Sequence, residues 1–336
     1  MLQGHGDDRY NLKYKEVLNF SSNVITSNNR WISDHISSNL DKISHYPEPD
    51  SLNLRRAFAK KADIGVDNII FTNGATEAIY LVAMAFQGSK SCVRIPTFSE
   101  YRDSCTIFKH TVIPFEDINL IPDATDLIWI CNPNNPTGEI LEKDEILNLI
   151  DTHINQILVF DLSYKDLTAS ASLNYQDIIS RQNVVGIFSL TKTYGIPGLR
   201  IGYIVSNDRI IKKLMGMKMP WSVNALAECA ALAIIEKNHP LDITPFLNET
   251  KRMLKELGKI GITVYPSKTT FLLCQTPWSD AKTLKQYLLE KHNILIRDAS
   301  NFEGLKKEHF RIAAKDVKSN NAMINGLAQW GLLFKR

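Results

Sequence analysis

The 336-residue sequence predicts an α/β fold, in which a large and mostly parallel sheet carries helices on both faces and a small α+β domain completes the chain. Three observations lead to this prediction. Short apolar, β-branched runs alternate with helical patterns through the middle of the chain. Successive residues of these runs are apolar, as in strands that are buried on both faces. After about residue 238 the alternation gives way to a long helical segment and shorter runs.

The predicted strands of the large domain each end at a polar residue, a glycine or a proline. The first strand covers residues 69–72 and ends at Asn73-Gly74, after which Ala78, Val82 and Phe86 recur at helical spacing. An acidic first turn indicates another helix over residues 142–150. The remaining strands are predicted over residues 91–95, 127–131, 156–160, 184–190 and 199–205.

The pattern changes near Pro240 and Pro245, where the small domain is expected to begin. A helix is predicted over residues 245–259, and strands over residues 262–265, 271–275, 294–297 and 310–314. The length fits about two domains, because an ordinary domain has roughly 150 residues. We therefore predict a large domain of residues 25–238 and a small domain of residues 1–24 and 239–336.

The composition excludes several classes of function. The 39 basic and 36 acidic residues give a net charge of +3 without a basic block, so we expect no nucleic-acid partner. The apolar run over residues 78–86 is about half as long as a membrane helix, and we expect no membrane partner. Eight dispersed histidines predict no metal site. Five scattered cysteines without a C-x-x-C pair are typical of reduced thiols and favour a cytoplasmic location.

Polar residues cluster where the predicted strands end, and open α/β sheets bind their ligands at that edge. The turn at residues 73–77 opens a helix, so its backbone N–H groups could bind an anion, although this segment taken alone favours an ordinary helix N-cap. The absence of G-x-G-x-x-G and G-K-[ST] motifs argues against a dinucleotide or a nucleoside triphosphate. The other polar stretches are at residues 96–98, 132–138, 161–164 and 189–192.

Three of these strand-end residues suggest specific chemistry. A carboxylate such as Asp161, if buried at the end of a strand, requires a cationic partner. A buried Lys192 would have a lowered pKa, which suits its amine to react with a carbonyl cofactor; the alternative is an ordinary surface lysine. Arg200 follows P-G-L, where glycine permits a close approach and the guanidinium can bind a phosphate.

In their order along the chain, these motifs resemble the aminotransferase class I/II family of pyridoxal-phosphate (PLP) enzymes, which has fold type I. The matching motifs are N-G-A-T-E, P-T-F-S-E-Y, N-P-N-N-P-T-G, a strand-end aspartate, S-L-T-K and P-G-L-R. Within the family, the chain is most similar to the branch of histidinol-phosphate aminotransferases and threonine-phosphate decarboxylases. Four segments favour the decarboxylases, namely G-H-G-D at residues 4–7, M-P-W-S-V-N-A-L at 219–226, I-L-I-R at 294–297 and F-R-I-A at 310–313.

The resemblance implies PLP as the cofactor and assigns residues to it. Lys192 would hold PLP covalently and transfer protons, and Asp161 would pair with the pyridinium nitrogen. Asn135 and Tyr164 would bind the phenolic oxygen, and Phe98 would stack on the ring, with Tyr101 as the alternative stacking residue. The phosphate would be bound by Ala75, Thr76, Ser189, Thr191 and Arg200.

The resemblance also implies a homodimer with shared active sites, because Tyr46 would reach the cofactor phosphate of the partner subunit. Arg311 would bind an anionic group of the substrate, and Asn23 and Arg297 are further candidates. Arg297 could equally be a surface residue at a strand end. His5 would help to bind a substrate phosphate, or would be a terminal histidine without a role.

The expected substrate is a small phosphorylated amino acid or amine. The resemblance implies decarboxylation of L-threonine O-3-phosphate, a step of cobalamin biosynthesis, with an aminotransferase of the histidinol-phosphate type as the alternative. A PLP-binding regulator would carry an N-terminal DNA-binding domain, for which the roughly twenty residues ahead of the first motif leave no room. One sequence does not show which bond of the substrate breaks.

Overall fold

The computed structural model describes residues 6–12, 17–25, 29–237 and 241–334. Its α-helices are α1 (Arg30–Ser37), α2 (Leu52–Ala62), α3 (Gly74–Ala85), α4 (Glu100–Ile107), α5 (Lys143–Thr152), α6 (Tyr175–Ile179), α7 (Asp208–Met215), α8 (Ala225–Lys237), α9 (Thr244–Lys259), α10 (Ala281–His292) and α11 (Val317–Leu332). Its strands are β1 (Leu18–Asn19), β2 (Ile69–Thr72), β3 (Lys90–Arg94), β4 (Thr111–Phe115), β5 (Leu127–Cys131), β6 (Ile157–Asp161), β7 (Val184–Ser189), β8 (Gly202–Ser206), β9 (Thr263–Val264), β10 (Phe271–Gln275), β11 (Ile294–Leu295), β12 (Arg297–Asp298) and β13 (His309–Ala313).

A seven-stranded sheet forms the centre of the molecule, with the order β2-β8-β7-β6-β5-β3-β4. The five strands from β7 to β4 run parallel to one another, whereas β8 runs antiparallel to both of its neighbours. This arrangement confirms the predicted α/β fold with a large, mostly parallel sheet. It also brings the carboxyl ends of β3, β5, β6 and β7 to one edge, where the predicted polar stretches follow.

The sheet is covered by helices on both faces, as the continuously apolar strands predict. Alternate residues of each strand enter two separate cores. In β5, Ile128 and Ile130 pack in a core with residues of α2, α5 and α8. Leu127 and Trp129 of the same strand pack in the opposite core with residues of α3, α4 and α7. All five residues of β5 are buried, so the strand is an interior element of the fold.

A second, antiparallel sheet has the order β12-β13-β10-β9, and it packs with α9, α10 and α11 around a third core. Phe20 belongs to this core, and β1 pairs in parallel with β11. The segment at residues 18–20 therefore lies with the C-terminal elements. The domain boundaries at residues 24/25 and 238/239 stay a prediction.

The structure differs from the predicted elements in three places. The run at residues 294–297 is two short strands in different sheets, because Ile296 lies between a strand paired with β1 and a strand paired with β13. Strand β4, at the edge of the large sheet, was not predicted; Pro114 interrupts its apolar pattern. Residues 199–205 begin as a 3-10 turn (Pro197–Leu199), and the strand starts at Gly202. Among the described residues, no helix is long and apolar enough to cross a membrane.

Candidate active site

A cleft at the carboxyl edge of the large sheet brings together residues from both halves of the chain. Its walls come from the turn between β2 and α3, the loops after β3, β5, β6 and β7, the segment at residues 21–24, and the second sheet. The cleft is lined by thirteen of the residues predicted for the site: Asn23, Ala75, Thr76, Phe98, Asn135, Asp161, Tyr164, Ser189, Thr191, Lys192, Arg200, Arg297 and Arg311.

Asp161 is the last residue of β6 and is buried. Its Oδ2 accepts a hydrogen bond from the Tyr101 hydroxyl at 2.7 Å, and its Oδ1 accepts one from the Ser163 backbone N–H at 2.9 Å. Burial raises the pKa of the carboxyl above its ordinary value, while these hydrogen bonds and the charge of Lys192 oppose the rise. A cationic group in the cleft would stabilise the ionised form further.

Lys192 follows β7 and shares the cleft with Asp161. Burial, the charge of Arg311 and the charge of Arg200 lower the pKa of its amine to about 8, and the charges of Asp7 and Asp161 oppose that shift. A pKa near 8 leaves a usable fraction of neutral amine near neutral pH, as nucleophilic chemistry requires. Lys192 thus lies in the cleft and is half-buried, which favours the predicted reactive amine over an ordinary surface lysine.

The opposite end of the cleft is built for an anion. Helix α3 begins at Gly74, where φ is +80°, and Ala75 and Thr76 line the cleft in its first turn. A Cβ atom at Gly74 would lie 2.5 Å from Arg200 Nη2, so only glycine lets this guanidinium approach the turn. Free N–H groups at a helix start, together with an arginine, suit a phosphate.

Arg311 and Asn135 meet in the wall formed by the second sheet. The buried Arg311 donates from Nη1 to Asn135 Oδ1 and from Nη2 to the Ser21 carbonyl oxygen, the latter at 2.6 Å. Burial lowers the pKa of Arg311 below its ordinary value. The Asn23 amide lies nearby and donates to the Tyr164 hydroxyl at 3.4 Å.

Arg297 is a second guanidinium in the same wall. Its Nη2 donates to Asn301 Oδ1 at 2.7 Å, and its guanidinium carbon lies 5.1 Å from the centre of the Phe302 ring. Burial and the charge of Arg311 lower the pKa of Arg297 to about 10. The alternative of a surface residue is wrong, since Arg297 is 7% exposed and lines the cleft.

Several residues of the site were not predicted from the sequence. Asn19 accepts hydrogen bonds from the backbone N–H and hydroxyl of Ser21 at 3.0 and 2.7 Å, and donates to Asp7 Oδ1 at 2.6 Å. These bonds hold the Ser21 carbonyl that binds Arg311. Gly6 belongs to the G-H-G-D segment, whose glycines the resemblance associates with the substrate phosphate; it lines the cleft, and a Cβ atom there would lie 2.6 Å from the Ser21 carbonyl oxygen. The spacing N-x-S at residues 19–21, typical of local side-chain turns, was the available signal.

The remaining two predicted residues are Tyr46 and His5. Tyr46 is 87% exposed, and its ring centre lies 5.6 Å from that of Trp221. The predicted role of Tyr46 lies in the cleft of a partner subunit, so its position on the outside of its own subunit does not decide that role. His5 lies outside the described residues.

The cleft fits a cofactor with a phosphate and a cationic ring. Asn23 Oδ1 and Arg311 Nε are buried without a hydrogen-bond partner, and both residues line the cleft. Burying such polar atoms without a partner lowers the stability of the protein, and a hydrogen bond with a ligand would offset that loss. The donors around Gly74 suit a phosphate, and Asp161 suits a ring nitrogen that carries a proton. Among the described residues, no group of three or more His, Cys, Asp or Glu side chains could hold a metal ion.

Comparison with known proteins identifies the class. Residues 15–326 match the family described as aminotransferase class I and II, and the chain belongs to this family of PLP-dependent enzymes. The predicted family and cofactor are thereby confirmed. The particular relatives fall into two groups of activity, as the resemblance in the sequence implies.

Three relatives illustrate the two groups. A histidinol-phosphate aminotransferase of Thermoanaerobacter sp. is 34% identical over 305 residues, which cover 86% of this chain and 85% of the relative. A threonine-phosphate decarboxylase of Salmonella typhimurium is 29% identical over 336 residues, which cover 93% of this chain and 90% of the relative. The crystal structure of L-threonine-O-3-phosphate decarboxylase from Porphyromonas gingivalis has a TM-score of 0.92 at 39% identity, covering 94% and 99% of the two chains.

Proposed function

We propose that this enzyme decarboxylates L-threonine O-3-phosphate, a reaction of cobalamin biosynthesis. The observation that carries the proposal is the pair of guanidinium groups, Arg297 and Arg311, in one wall of the cleft, in addition to Arg200 at the anion site. A substrate with both a phosphate and a carboxylate can use both arginines, whereas histidinol phosphate has no carboxylate. The similarity to the P. gingivalis decarboxylase supports the same substrate.

The residues of the cleft divide the work of holding the cofactor. When bound, PLP draws electrons from the Cα atom of an amino substrate and weakens the bond that stands perpendicular to its ring. We propose that Lys192 provides the covalent attachment and moves protons, and that Asp161 keeps the ring nitrogen protonated. Asn135 and Tyr164 would bind the phenolic oxygen, and Phe98 would cover one ring face. The phosphate would be bound by Ala75, Thr76, Ser189, Thr191 and Arg200.

The anchoring of the substrate decides which bond breaks. In our proposal Arg311 and Arg297 bind the two anionic groups, with Asn23 beside them, and hold the bond from Cα to the carboxylate perpendicular to the ring. Carbon dioxide would then leave without the bonding electrons, which would remain on the side of Cα, and Lys192 would deliver a proton to that atom. If the bond to hydrogen were held perpendicular instead, the same groups would support transamination.

The decisive experiment is incubation of the PLP-loaded enzyme with O-phospho-L-threonine, with and without 2-oxoglutarate. We expect carbon dioxide in both mixtures and no glutamate. A parallel incubation with histidinol phosphate and 2-oxoglutarate tests the aminotransferase alternative, which the 34% identical relative favours. Glutamate without carbon dioxide would exclude the decarboxylase.

The covalent role of Lys192 has its own test. Borohydride should fix PLP irreversibly to the wild-type protein, and mass spectrometry of the digest should place the adduct on Lys192. Lys192→Ala should bind PLP only reversibly, because no other amine lies in the cleft among the described residues. A trapped adduct in Lys192→Ala would refute the assignment. Lys315→Ala is a suitable control, since its amine donates to the backbone carbonyl of Val24 and Lys315 is not among the residues that line the cleft.

We further propose that the enzyme is a cytoplasmic homodimer in which Tyr46 reaches the cofactor phosphate of the partner subunit. Large apolar side chains around Tyr46 are exposed in the single chain, which supports a protein partner on this face. They are Leu40, Ile43, Met219 and Trp221. The five cysteines are free and buried, as is common in the reducing cytoplasm.

A further inference from the structure

The hydroxyl of Tyr101 is directed at the functional carboxylate of the cleft. Tyr101 lies in the first turn of α4, and only 1% of it is exposed. Its hydroxyl donates to Asp161 Oδ2 at 2.7 Å, across sixty positions of the chain. Burial and the charge of Asp161 raise the pKa of Tyr101 well above its ordinary value, so the group remains a hydroxyl donor throughout the physiological range.

The ring of Tyr101 is fixed on its other side. It stacks on Trp129, with ring centres 5.9 Å apart and an angle of 25° between the planes. The indole nitrogen of Trp129 is directed towards the Ser91 hydroxyl, which contacts His110 Nδ1 at 2.8 Å. The Tyr101 ring is therefore already stacked within the protein core. Phe98, which meets Tyr101 edge-on and is partly exposed in the cleft, is therefore favoured over Tyr101 as the residue that covers a ligand ring.

We infer that Tyr101 is a positioning residue for Asp161, which it orients and keeps ionised towards the ring nitrogen of the cofactor. The inference rests on the proposed role of Asp161. With Tyr101 on Oδ2 and the Ser163 N–H on Oδ1, both oxygens of the carboxylate are fixed in direction. Each oxygen can still accept one more hydrogen bond, so the carboxylate can bind a protonated ring nitrogen without rotating.

The environment of Asp161 makes this hydrogen bond consequential. Burial favours the neutral carboxylic acid, and the other titratable groups that act on it are Cys131, Tyr164 and Lys192. Cys131 and Tyr164 are neutral at physiological pH, since burial raises the pKa of each to about 12. Without the Tyr101 hydroxyl, the carboxylate becomes more basic and takes a larger share of the proton that lies between it and the ring nitrogen.

The test uses Tyr101→Phe, which removes only the hydroxyl, in protein loaded with PLP that carries ¹⁵N at the ring nitrogen. We expect the ¹⁵N chemical shift to move from the value of a protonated ring towards that of an unprotonated ring. We also expect the dissociation constant of PLP to rise about tenfold, as for the loss of one hydrogen bond to a charged group. A purely structural role of Tyr101 would not move the ¹⁵N shift.

Tyr80→Phe is the matched control, because Tyr80 also donates to a carboxylate at 2.7 Å, that of Glu100, and lies outside the cleft. It should leave the ¹⁵N shift unchanged and the PLP dissociation constant within about twofold of wild type. If Tyr101→Phe behaves like this control, the inference is wrong.

Asp161→Asn separates this inference from the proposed function. If Asp161→Asn leaves the ¹⁵N shift unchanged, the proposed role of Asp161 fails. If Asp161→Asn moves the shift and Tyr101→Phe does not, only the inference about Tyr101 fails. The double variant Tyr101→Phe/Asp161→Asn controls for poor folding of Tyr101→Phe, because it removes the hydrogen-bond donor and the buried charge together. Its dissociation constant for PLP should be within about twofold of that of Asp161→Asn. A further rise of about tenfold would show that Tyr101 acts on a group other than Asp161.

Discussion

Lys192 lies among charged groups that favour its neutral form. Its pKa of about 8 in the folded protein is below the ordinary value near 10.4 of the unfolded chain. Between these two pH values Lys192 holds its proton more strongly in the unfolded chain, so its contribution to the stability of the cofactor-free protein rises with pH across that window. Lys315, whose pKa burial also lowers to about 8, contributes in the same direction.

We therefore expect the contribution of Lys192 to the free energy of unfolding of the cofactor-free protein to increase from pH 8 to pH 10. Urea denaturation of wild type and Lys192→Met at several pH values measures this contribution. The slope of the free energy of unfolding against pH should be less positive in Lys192→Met than in wild type, because the variant keeps Lys315 and the buried cysteines, whose raised pKa values act in the opposite direction, and loses only Lys192. An identical slope in Lys192→Met would contradict the lowered pKa, and Lys237→Met, on an exposed helix end, is the control.

At the scale of single residues, the sequence predicted the strand-end part of the site and missed what supports it. Asp161 and Lys192 directly follow recognisable apolar strands, so their position at the sheet edge could be read from the pattern. The pairings of Arg311 with Asn135 and of Tyr101 with Asp161 join distant parts of the chain. Local spacing contains no information about such contacts, and only the packing of the two sheets and α4 creates them.

At the scale of single elements, the N-cap residue Asp316 fixes the residue at which helix α11 begins. Asp316 accepts hydrogen bonds from the backbone N–H and the hydroxyl of Ser319 at 2.9 and 2.7 Å. Both bonds lower the pKa of Asp316 below its ordinary value. The adjoining helix supplies Met323, Leu327 and Trp330 to the third core, so a frayed first turn would loosen that core.

Asp316→Ala should lower the free energy of unfolding by about 1 kcal/mol, the usual effect of removing an N-cap side chain. The loss should shrink as the pH falls through the pKa of Asp316, because the wild-type carboxylate then loses its charge. Chemical denaturation of wild type and Asp316→Ala at pH 7 and at pH 3.5 measures the difference in free energy of unfolding at each pH. Asp123→Ala, in an exposed loop, is the control, and an equal effect there would refute the cap.

The sequence predicts the helices and strands well where the hydrophobic residues follow a single pattern. The strands buried on both faces were predicted nearly to the residue, as at residues 127–131. The run at residues 294–297 predicts one strand because three apolar residues follow one another there without a break. Its division arises from the different pairing partners of β11 and β12, and these lie far away in the sequence. The antiparallel direction of β8 is likewise a property of the sheet as a whole.

For the whole molecule, the proposed shared site makes a prediction about mixed dimers. Lys192→Ala and Tyr46→Ala should each be impaired alone, because every cleft lacks one required group. A mixed dimer restores one complete cleft, formed by Lys192 of one subunit and Tyr46 of the other. After joint refolding of equal amounts, activity should recover to about a quarter of wild type, since half of the dimers are mixed and each has one complete cleft.

The measurement compares the activity of the two variants when they are simply mixed with their activity after joint refolding. Lys192→Ala mixed with Asp161→Ala is the control, because both side chains lie in the same subunit's cleft and no combination completes it. Recovery in the control, or none in the first mixture, would contradict a cleft shared between subunits. Sedimentation of each variant checks that the dimer forms.

The position of Gly6 has a practical consequence for work with this enzyme. Gly6 lines the cleft, and a Cβ atom there would lie 2.6 Å from the Ser21 carbonyl oxygen and 3.5 Å from Arg311 Nη2. A cysteine introduced at Gly6 to carry a label would therefore place that label in the space of the substrate. Helix α11 contributes no residue to the cleft lining, so a label on its exposed face avoids the obstruction. Reporter groups for kinetics or ligand soaking are therefore better attached to α11 than near Gly6.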